Sequence, residues 1–358
     1  MSAMVGVRSL VILAAAVLCS AAAQAQRGPK VLVIYDMEGT SQVTTPGGVS
    51  FGNPEYPAAR AALTEDVNAA IRGLLRGGAR EVVITDGHGS GNPEPDYDVS
   101  TLPAGARFEI REAPYDAYID VVDGTFDAVV AIAMHARAGS PGFISHTYFG
   151  HTKWAVGDLE LNESMIVAAS AARFGVPLVL VTGDDVLRQQ VAGFSPRTEY
   201  VVVKTAQGRT LAVARGREDV SRDIEAAAER AIRDLRNVPA WRPPELRGHV
   251  ENRFGYALTE HAALAVNFPG ARAVDDRTVA VTTTSFLDAY LTFRALALFT
   301  APVRTRLLFE ALPQVEGGRD AVQRAQQQLG ARLAPSFAPA GAGPDITPFT
   351  ARARHGYR

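Results

Sequence analysis

Short apolar runs alternate with longer amphipathic segments over the first two thirds of the chain. The apolar runs are rich in β-branched residues and predict buried strands: VLVIY (31–35), EVVIT (81–85), AVVAIA (128–133), LVLVT (178–182) and YVVVK (200–204). The spacing of apolar positions between and after these runs predicts helices over 55–75, 163–174 and 218–236. Strands that alternate with helices in this way are typical of βα units around a largely parallel sheet.

The last third of the chain reads as a smaller unit. The segment WRPPEL (241–246) resembles a linker, and the segments 263–271, 278–286 and 287–299 beyond it contain strand and helix material. We therefore predict an α/β fold, in which a largely parallel sheet flanked by helices is followed by a smaller C-terminal α/β unit. The predicted divisions are a main domain over 26–240, the C-terminal unit over 241–332 and a flexible tail over 333–358.

The amino terminus has the pattern of a secretory signal. Arg8 precedes the apolar run LVILAAAVL, and the triplet at 23–25, Ala-Gln-Ala, matches a cleavage site. Residues 1–25 are therefore predicted to be a cleavable signal peptide, and the protein to be periplasmic. The apolar run is too short for a membrane span. Removal of the signal would also remove Cys19, the one cysteine of the chain, so we expect a fold without disulfides.

The charge balance restricts the class of partner. The chain has a formal net charge of -2 and no long basic run. It therefore has no electrostatic footprint for nucleic acid, and a small molecule is the expected partner.

Two acidic residues follow the first predicted strand. Asp36 and Glu38 are separated only by Met37, and side chains two apart in an extended chain point to the same side. Two carboxylates so close repel each other and raise each other's pKa unless a cation lies between them. This pair alone is more often a solvated turn or a helix cap than a cation site.

The other predicted strands end in similar residues. Candidate ligands and acids occur in Asp86-Gly87-His88, Met134-His135 and Gly183-Asp184-Asp185, and four of the seven histidines lie in this region, at 88, 135, 146 and 151. In open α/β sheets the site lies outside the carboxyl ends of the strands, where such residues converge. A lone histidine there is usually a rim residue, so it is the coincidence of several such endings that favours a metal site.

The types of the candidate ligands indicate the chemistry. Asp, Glu and His without Cys suit a hydrolytic zinc or manganese site better than a structural zinc site. Two carboxylates at one strand end can be shared between two ions, which relieves their repulsion. The loop 135–146 begins and ends in histidine and can fold His146 over His135. His146 is then a candidate general acid or base, or an oxyanion-stabilising group; the alternative is an ordinary surface histidine.

Four motifs together resemble those of the D-aminopeptidase DppA family, the M55 metallopeptidases. They are DMEG (36–39), DGH (86–88), HARAGSPGFISH (135–146) and GVPLVLVTGDD (175–185), and the likeness extends from about residue 31 to residue 300. The loop 135–146 is the most specific of the four. The resemblance implies a binuclear zinc aminopeptidase that removes N-terminal D-amino acids, D-alanine in particular, from short peptides. It also implies a ring-shaped homo-oligomer.

The resemblance also implies roles for individual residues. The two Zn²⁺ ions would be held by Asp36, Glu38, His88, His135 and one acid of GDLELNE (157–163), with Asp36 as the bridge. Among Asp158, Glu160 and Glu163, the spacing from Phe149-Gly150 and to Val176-Pro177 in the family selects Glu163. His146 matches the catalytic histidine. Lys204 and Arg209 resemble a basic pair that would bind a substrate carboxylate, although a charged strand end is the simpler interpretation.

Two other functions remain open at this point. Carboxylate and histidine ligands serve phosphate esters as well as peptides, so a phosphatase-like binuclear hydrolase is one alternative. A non-catalytic periplasmic solute-binding protein is the other, because it also combines an export signal with two α/β units. Bound metal and the substrate class would separate these alternatives. For the first hypothesis, the export signal suggests D-alanine-containing cell-wall peptides as substrates.

Overall fold

The structure is a computed structural model that describes residues 28–109, 116–150 and 152–333. Its strands, in chain order, are β1 (Lys30–Tyr35), β2 (Glu81–Asp86), β3 (Ala106–Phe108), β4 (Ala128–Ile132), β5 (Thr152–Val156), β6 (Leu159–Glu160), β7 (Leu178–Asp184), β8 (Glu199–Ala206), β9 (Ala212–Ala214), β10 (Val250–Tyr256), β11 (Arg272–Ala273) and β12 (Thr278–Thr283). Its α-helices are α1 (Tyr56–Arg76), α2 (Glu163–Ala172), α3 (Asp185–Phe194), α4 (Arg217–Arg233), α5 (Thr259–Ala265), α6 (Phe286–Ala311) and α7 (Gly318–Leu333). The predicted signal peptide lies outside the described residues, as does the predicted tail after its first residue.

The predicted sheet is confirmed as a seven-stranded sheet with the order β3-β2-β1-β4-β7-β8-β9. All neighbours pair in parallel except β8 and β9. β1 lies in the middle, where Tyr35 is in register with Asp86 of β2 and with Ile132 of β4. The ends of these three strands are therefore neighbours at one edge of the sheet.

Both faces of this sheet are buried, which explains the continuous apolar runs. Along β1, Val31 and Val33 belong to a core formed with α1 and α4, whereas Leu32 and Ile34 belong to a core shared with α2 and the second sheet. This alternation follows from the two-residue period of a strand. The helix α1 ends at the predicted stop, where Gly78 adopts a φ of +104° that favours glycine.

A second, five-stranded sheet has the order β11-β12-β10-β5-β6 and is antiparallel. Trp154 of β5 stacks on Phe293 of α6, with ring centroids 5.1 Å apart. Two strands of this sheet, β5 and β6, precede residue 241 in the chain. The domain division at 241 stays a prediction, and the strand pairing adds that the C-terminal segments form their sheet with residues from the middle of the chain.

The helix α6 is long and apolar. Together with the turn that follows it, it spans Phe286–Gln314, 29 residues with a mean hydropathy of 1.3 in its most apolar window, and 44% of that window is buried in the protein. Within the described ranges it is the one helix with the length and composition of a membrane span. A core helix of a globular protein has the same properties, so these values alone do not indicate a span.

Candidate metal centre and active site

The candidate site lies where the strand order changes direction. The chain runs outward from β1 through β2 to β3 and then returns to place β4 on the other side of β1. Such a switch point opens a crevice at the carboxyl ends of the strands. Asp36 and Glu38 follow β1, His88 follows β2, and His135 follows β4, so all four enter this crevice.

The segment that carries Asp36 and Glu38 is held in place by a close approach of its main chain to the segment after β4. The N–H of Gly39 donates to the main-chain oxygen of Ala133 over 2.7 Å. A Cβ atom at this glycine would lie only 2.1 Å from the main-chain oxygen of Met134. The glycine of DMEG is therefore required by packing, because only a residue without a side chain allows the segments after β1 and β4 to come so close.

Five side chains converge at this point, and we refer to Asp36, Glu38, His88, His135 and Glu163 as the ligand cluster. Its two imidazoles lie on either side of Asp36: His88 Nδ1 is 2.7 Å from Asp36 Oδ1, and His135 Nε2 is 3.4 Å from Asp36 Oδ2. His88 Nδ1 is also 3.3 Å from Glu38 Oε2, and His135 Nε2 is 3.1 Å from Glu163 Oε1. Asp36 thus belongs to two groups of three potential ligands, one completed by Glu38 and His88 and the other by His135 and Glu163.

His146 lies at the edge of the ligand cluster. Its ring stacks on that of His135, with centroids 4.0 Å apart and planes 11° apart. Its Nε2 is 3.9 Å from Glu38 Oε1 and 3.8 Å from Glu163 Oε1, so it faces both carboxylates without a direct hydrogen bond. The predicted folding of the loop 135–146 therefore brings its two histidines together. A further group of potential ligands combines His146 with Glu38 and His135.

Main-chain carbonyls set the tautomers of the three histidines. His88 Nε2 lies 2.8 Å from the main-chain oxygen of Val49, so that nitrogen carries the proton and Nδ1 faces Asp36. In His135 and His146 it is Nδ1 that donates, to the main-chain oxygens of Ala136 over 3.1 Å and of Ile144 over 2.7 Å. In each ring the nitrogen beside a carbonyl must carry a proton, so the other nitrogen is the one that the neutral ring would offer to a metal ion.

Glu163 is positioned by the start of a helix and by two hydrogen bonds. It is the first residue of α2, and the Asn162 side chain before it accepts from the N–H of Met165 as the helix cap. The N–H of Tyr148 donates to Glu163 Oε1 over 2.6 Å, and the hydroxyl of Tyr118 donates to Oε2.

The two acids that competed with Glu163 as the fifth ligand lie elsewhere. Asp158 is exposed in a turn, and Glu160 is exposed and pairs with Arg137 at 2.8 Å.

The charges of the buried cluster are strongly coupled. Burial raises the pKa of Asp36, but the neighbouring imidazoles of His135 and His88 outweigh burial and hold it well below its usual value. Burial likewise raises the pKa of Glu163, whereas the charge of His135 lowers it, to about 2. For His88 and His135, burial lowers the pKa, and the carboxylates of Glu38 and Glu163 respectively raise it well above its usual value. The carboxylates therefore require positive charge beside them.

The unpaired atoms of the cluster fit a metal ion. Glu38 Oε2 and His135 Nε2 are buried, and neither completes a hydrogen bond. A buried polar atom without a partner is costly, and metal coordination removes that cost. The oxygen and nitrogen donors match the preference of zinc, which binds histidine nitrogen and carboxylate oxygen at about 2.0–2.2 Å. Ligand atoms separated by about 3 Å are consistent with such bond lengths.

The remaining strand-end acids have structural roles. Asp86 accepts from the hydroxyl of Tyr35 over 2.7 Å and from the N–H of His88 over 2.9 Å. Asp184 caps α3 by accepting from the N–H of Leu187, and Asp185 accepts from that of Ala206. Their role as caps and turn acceptors is the ordinary one for strand-end acids. His151 lies outside the described residues.

The expectation that Lys204 binds a substrate carboxylate is wrong. Its ammonium is fully buried and donates to the main-chain oxygens of Glu38, Thr40 and Val43. A side chain committed to three carbonyls has no donor left for a substrate. Arg209 is likewise engaged with the loop that carries His146, because its guanidinium donates to the main-chain oxygen of Ser145 over 3.1 Å.

A network of polar side chains that was not predicted from the sequence connects the site with α6. Asp116 is buried and accepts from the hydroxyls of Tyr148 and Tyr290, at 3.0 Å and 2.8 Å. Arg294 of α6 completes the network at 2.6 Å from Asp116. Because Tyr148 also holds Glu163, this network ties the helix to the ligand cluster. Isolated Tyr and Arg residues on distant segments carry no sequence pattern by which such a network could have been found.

A cavity of about 340 Å³ opens onto the ligand cluster. Asp36, Glu38, His88 and Glu163 form part of its wall, together with His146. The remaining wall includes Gly87, Gly89, Tyr148, Phe149, Gly150, Leu298 and Arg304. A cavity of this size admits a small molecule but not a folded protein.

Comparison with known proteins agrees with this arrangement. The family Peptidase_M55, described as D-aminopeptidase, matches residues 30–295, which is well over half of the chain. The chain belongs to the M55 D-aminopeptidase family. The matched range of this M55 protein contains all five residues of the ligand cluster and His146, and the resemblance inferred from its motifs is confirmed.

Two relatives of this M55 protein were identified, one by sequence and one by structure. The D-aminopeptidase of Bacillus subtilis (strain 168) is 25% identical to it over 217 residues, which are 60% of this chain and 78% of the relative. A solved structure, the Zn-dependent D-aminopeptidase DppA from Bacillus subtilis, described as a self-compartmentalizing protease, superimposes with a TM-score of 0.70. At 23% identity it covers 76% of this chain and 98% of the solved chain. This similarity confirms the α/β fold.

Proposed function

We propose that this protein is a zinc-dependent aminopeptidase that uses two metal ions to remove N-terminal D-amino acids, D-alanine in particular, from short peptides. One observation carries the proposal. Asp36 lies between His88 and His135, 2.7 Å from the first and 3.4 Å from the second, and belongs to two ligand groups. A carboxylate in this position would be shared by the two ions of a binuclear hydrolase. Membership in the D-aminopeptidase family and the zinc dependence of the related DppA support it.

The proposed ligands are the five residues of the ligand cluster. One ion would be held by Asp36, Glu38 and His88, and the other by Asp36, His135 and Glu163. Zinc bound there supplies Lewis acidity, which polarises a carbonyl and lowers the pKa of water toward neutrality. In His88 and His135 the nitrogen that faces Asp36 is not the one that donates to a main-chain carbonyl, so the loss of its proton would leave it free to bind a metal ion.

His146 is proposed as the catalytic histidine. Its Nδ1 donates to the main-chain oxygen of Ile144 over 2.7 Å, which leaves Nε2 to hold or release a proton on the cavity side. It can thus take a proton during attack on the peptide carbonyl and give it to the leaving amine, or donate to the developing oxyanion. Ile144 and Tyr148, two residues to either side, have φ values of 45° and 63°. Such strained backbone is costly and is concentrated at functional sites.

We further propose that the protein assembles into a ring-shaped homo-oligomer. The related DppA is described as self-compartmentalizing. The long helix α6 leaves several large apolar side chains exposed, among them Leu291, Leu298, Leu308 and Phe309. An apolar face of this kind is usually covered by a partner, and a second copy of the chain is the partner that the related protein suggests.

The expected location is the periplasm, after removal of the signal peptide predicted over 1–25. For that location, D-alanine-containing fragments of cell-wall peptides are the proposed natural substrates. The cavity of about 340 Å³ suits short peptides of this kind.

The test combines metal analysis with a choice of substrates. Purified protein is loaded with zinc and incubated separately with D-Ala-D-Ala, L-Ala-L-Ala and p-nitrophenyl phosphate. Release of D-alanine from the first, with little hydrolysis of the other two, is the expected result. Faster hydrolysis of the L-peptide or of the phosphate ester would overturn the assignment. Protein that contains no metal after purification, and that binds D-Ala-D-Ala without hydrolysing it even after zinc is added, would favour a solute-binding function instead.

A further inference from the structure

One guanidinium in the wall of the cavity has no role in the site described so far. Arg304 of α6 lines the cavity together with Asp36, Glu38 and His88, and its side chain is exposed. Among the described residues it forms no ion pair, in contrast to the other two arginines of the helix. Arg294 pairs with Asp116 at 2.6 Å, and Arg306 lies 3.4 Å from Glu310. Arg304 thus offers the cavity a positive charge that no carboxylate of the described chain neutralises.

Apolar side chains share the cavity wall with this charge. Leu298 lies six residues before Arg304 on the same helix, about 9 Å along the axis, and 62% of it is exposed. The rings of Tyr148 and Phe149 belong to the same cavity wall. The cavity therefore combines three chemically different surfaces: the ligand cluster, an apolar wall and one guanidinium supplied by a different element.

We propose that Arg304 binds the C-terminal carboxylate of a short peptide whose N-terminal residue lies at the ligand cluster. This inference rests on the proposed aminopeptidase function and specifies its substrate class as dipeptides and tripeptides with a free carboxyl terminus. A guanidinium binds a carboxylate through two parallel hydrogen bonds, which fixes the orientation of the ligand as well as its charge. An unneutralised arginine at the edge of a small cavity is suited to this task.

The volume of the cavity agrees with a peptide of this length. An extended residue spans about 3.3–3.6 Å, so the amine and the carboxylate of a dipeptide are separated by about 7 Å. The cavity of about 340 Å³ accommodates such a molecule with its small side chains against Leu298, Tyr148 and Phe149. A longer peptide, or one whose carboxyl terminus is blocked, would lose the contact with Arg304. The helix that supplies Arg304 would thus select for chain length.

The experiment separates carboxylate binding from turnover. Dissociation constants for D-Ala-D-Ala and for its C-terminal amide are measured by calorimetry in zinc-loaded His146→Gln protein, in which turnover is expected to be about 100- to 10,000-fold slower. The same measurement is made in double variants that combine His146→Gln with Arg304→Gln, with Arg304→Lys or with the control Arg306→Gln. Arg306 is on the same helix but is not part of the cavity wall. Release of D-alanine by the wild-type protein is measured in parallel as the test of the proposed function.

The expected result is a loss of affinity for the peptide with a free carboxyl terminus and not for its amide. Arg304→Gln should weaken binding of the free acid about 10- to 100-fold, the usual value of hydrogen bonds to a charged group, and change binding of the amide by less than about 3-fold. Arg304→Lys should retain part of the preference, and Arg306→Gln all of it. Equal effects on acid and amide, or no effect on either, would overturn the proposal. Failure of the wild-type protein to release D-alanine would contradict the aminopeptidase function, while the ratio of the two dissociation constants would still decide the role of Arg304.

Discussion

The ammonium of Lys204 donates to the main-chain oxygen of Thr40 over 2.9 Å in a fully buried position. It also donates to the main-chain oxygens of Glu38 and of Val43, the latter over 2.6 Å, and it lies 4.4 Å from the ring centroid of Phe143. Burial lowers the pKa of Lys204 to about 7, but only the charged form has the three N–H groups that three carbonyls require. Lys204 is therefore a structural anchor for the segment that carries Glu38.

Replacing this anchor should destabilise the protein. Lys204→Met removes a donor from three buried carbonyls, of which that of Thr40 still accepts from the N–H of Val43. We expect the free energy of unfolding to fall by about 3–5 kcal/mol. Urea unfolding at pH 7 measures the change. The control is Lys153→Met at an exposed position, for which a change within about 0.5 kcal/mol is expected. A loss below about 1 kcal/mol for Lys204→Met would contradict the anchoring role.

The shared position of Asp36 predicts unequal losses of metal. Asp36→Asn should remove both ions, because Asp36 belongs to both ligand groups, whereas His88→Ala and His135→Ala should each weaken one site. The measurement is the number of zinc equivalents per chain after gel filtration, for which the proposed binuclear site predicts about two in the wild-type protein. Asp158→Asn, in an exposed turn, is the matched control and should retain both. An Asp36→Asn protein that keeps a full equivalent would show that Asp36 does not bridge.

His146 is expected to serve the reaction rather than hold metal. Its Nε2 is 3.8–3.9 Å from the nearest carboxylate oxygens, farther than the nitrogens of His88 and His135. His146→Gln should therefore lower kcat by about 100- to 10,000-fold, the usual loss for a proton-transfer group, at unchanged zinc content. His249→Gln, at an exposed position, should leave both quantities unchanged. Loss of zinc from the His146→Gln protein would instead make His146 a ligand in the group that it forms with Glu38 and His135.

The buried carboxyl group of Asp66 should make the free energy of unfolding depend on pH. It is buried in α1, where it accepts from the N–H of Ser41 over 2.8 Å, and burial raises its pKa to about 7. In the unfolded chain its pKa is about 3.9, so the folded state binds the proton more tightly. The resulting stabilisation is complete below about pH 4 and is lost as the pH rises through about 7.

The comparison that isolates this effect is with Asp66→Asn, which does not titrate. The free energy of unfolding of the wild-type protein minus that of the variant should fall between pH 4 and pH 8, by up to about 1.4 kcal/mol per pH unit. Urea unfolding across this range measures the difference, with Asp158→Asn as the control. A difference that stays constant with pH would mean that Asp66 has an ordinary pKa in the folded protein.

The sequence predicted the elements well because their signals are local. The strand predicted over 31–35 is Lys30–Tyr35, and the helix predicted over 55–75 is Tyr56–Arg76. The segment 287–299, predicted only to be part of the strand and helix material of the C-terminal unit, lies within the longer helix Phe286–Ala311, which has Pro302 inside it. Proline removes a hydrogen-bond donor and usually ends a helix. Here the packing of residues beyond position 299, such as the buried Thr300 and Val303, outweighs that local preference.

The candidate site was predictable only in part. A strand-end position indicates which residues reach the carboxyl edge of the sheet, and it led to Asp36, Glu38, His88 and His135. It does not distinguish a ligand from a cap, and Asp184 illustrates this because it ends a central strand yet caps α3. The choice of Glu163 came from a resemblance and not from any rule of spacing in the sequence.

By itself, the sequence determined the alternation of strands and helices and the residue types at the strand ends, because each depends on residues that are near neighbours in the chain. Only the tertiary structure decided that Lys204 is buried under three carbonyls, that Tyr118 holds Glu163, and that Arg304 of a distant helix faces the same cavity as Asp36. These juxtapositions depend on which strands pair and how helices pack across the sheet. Such long-range contacts leave no periodic pattern in the chain.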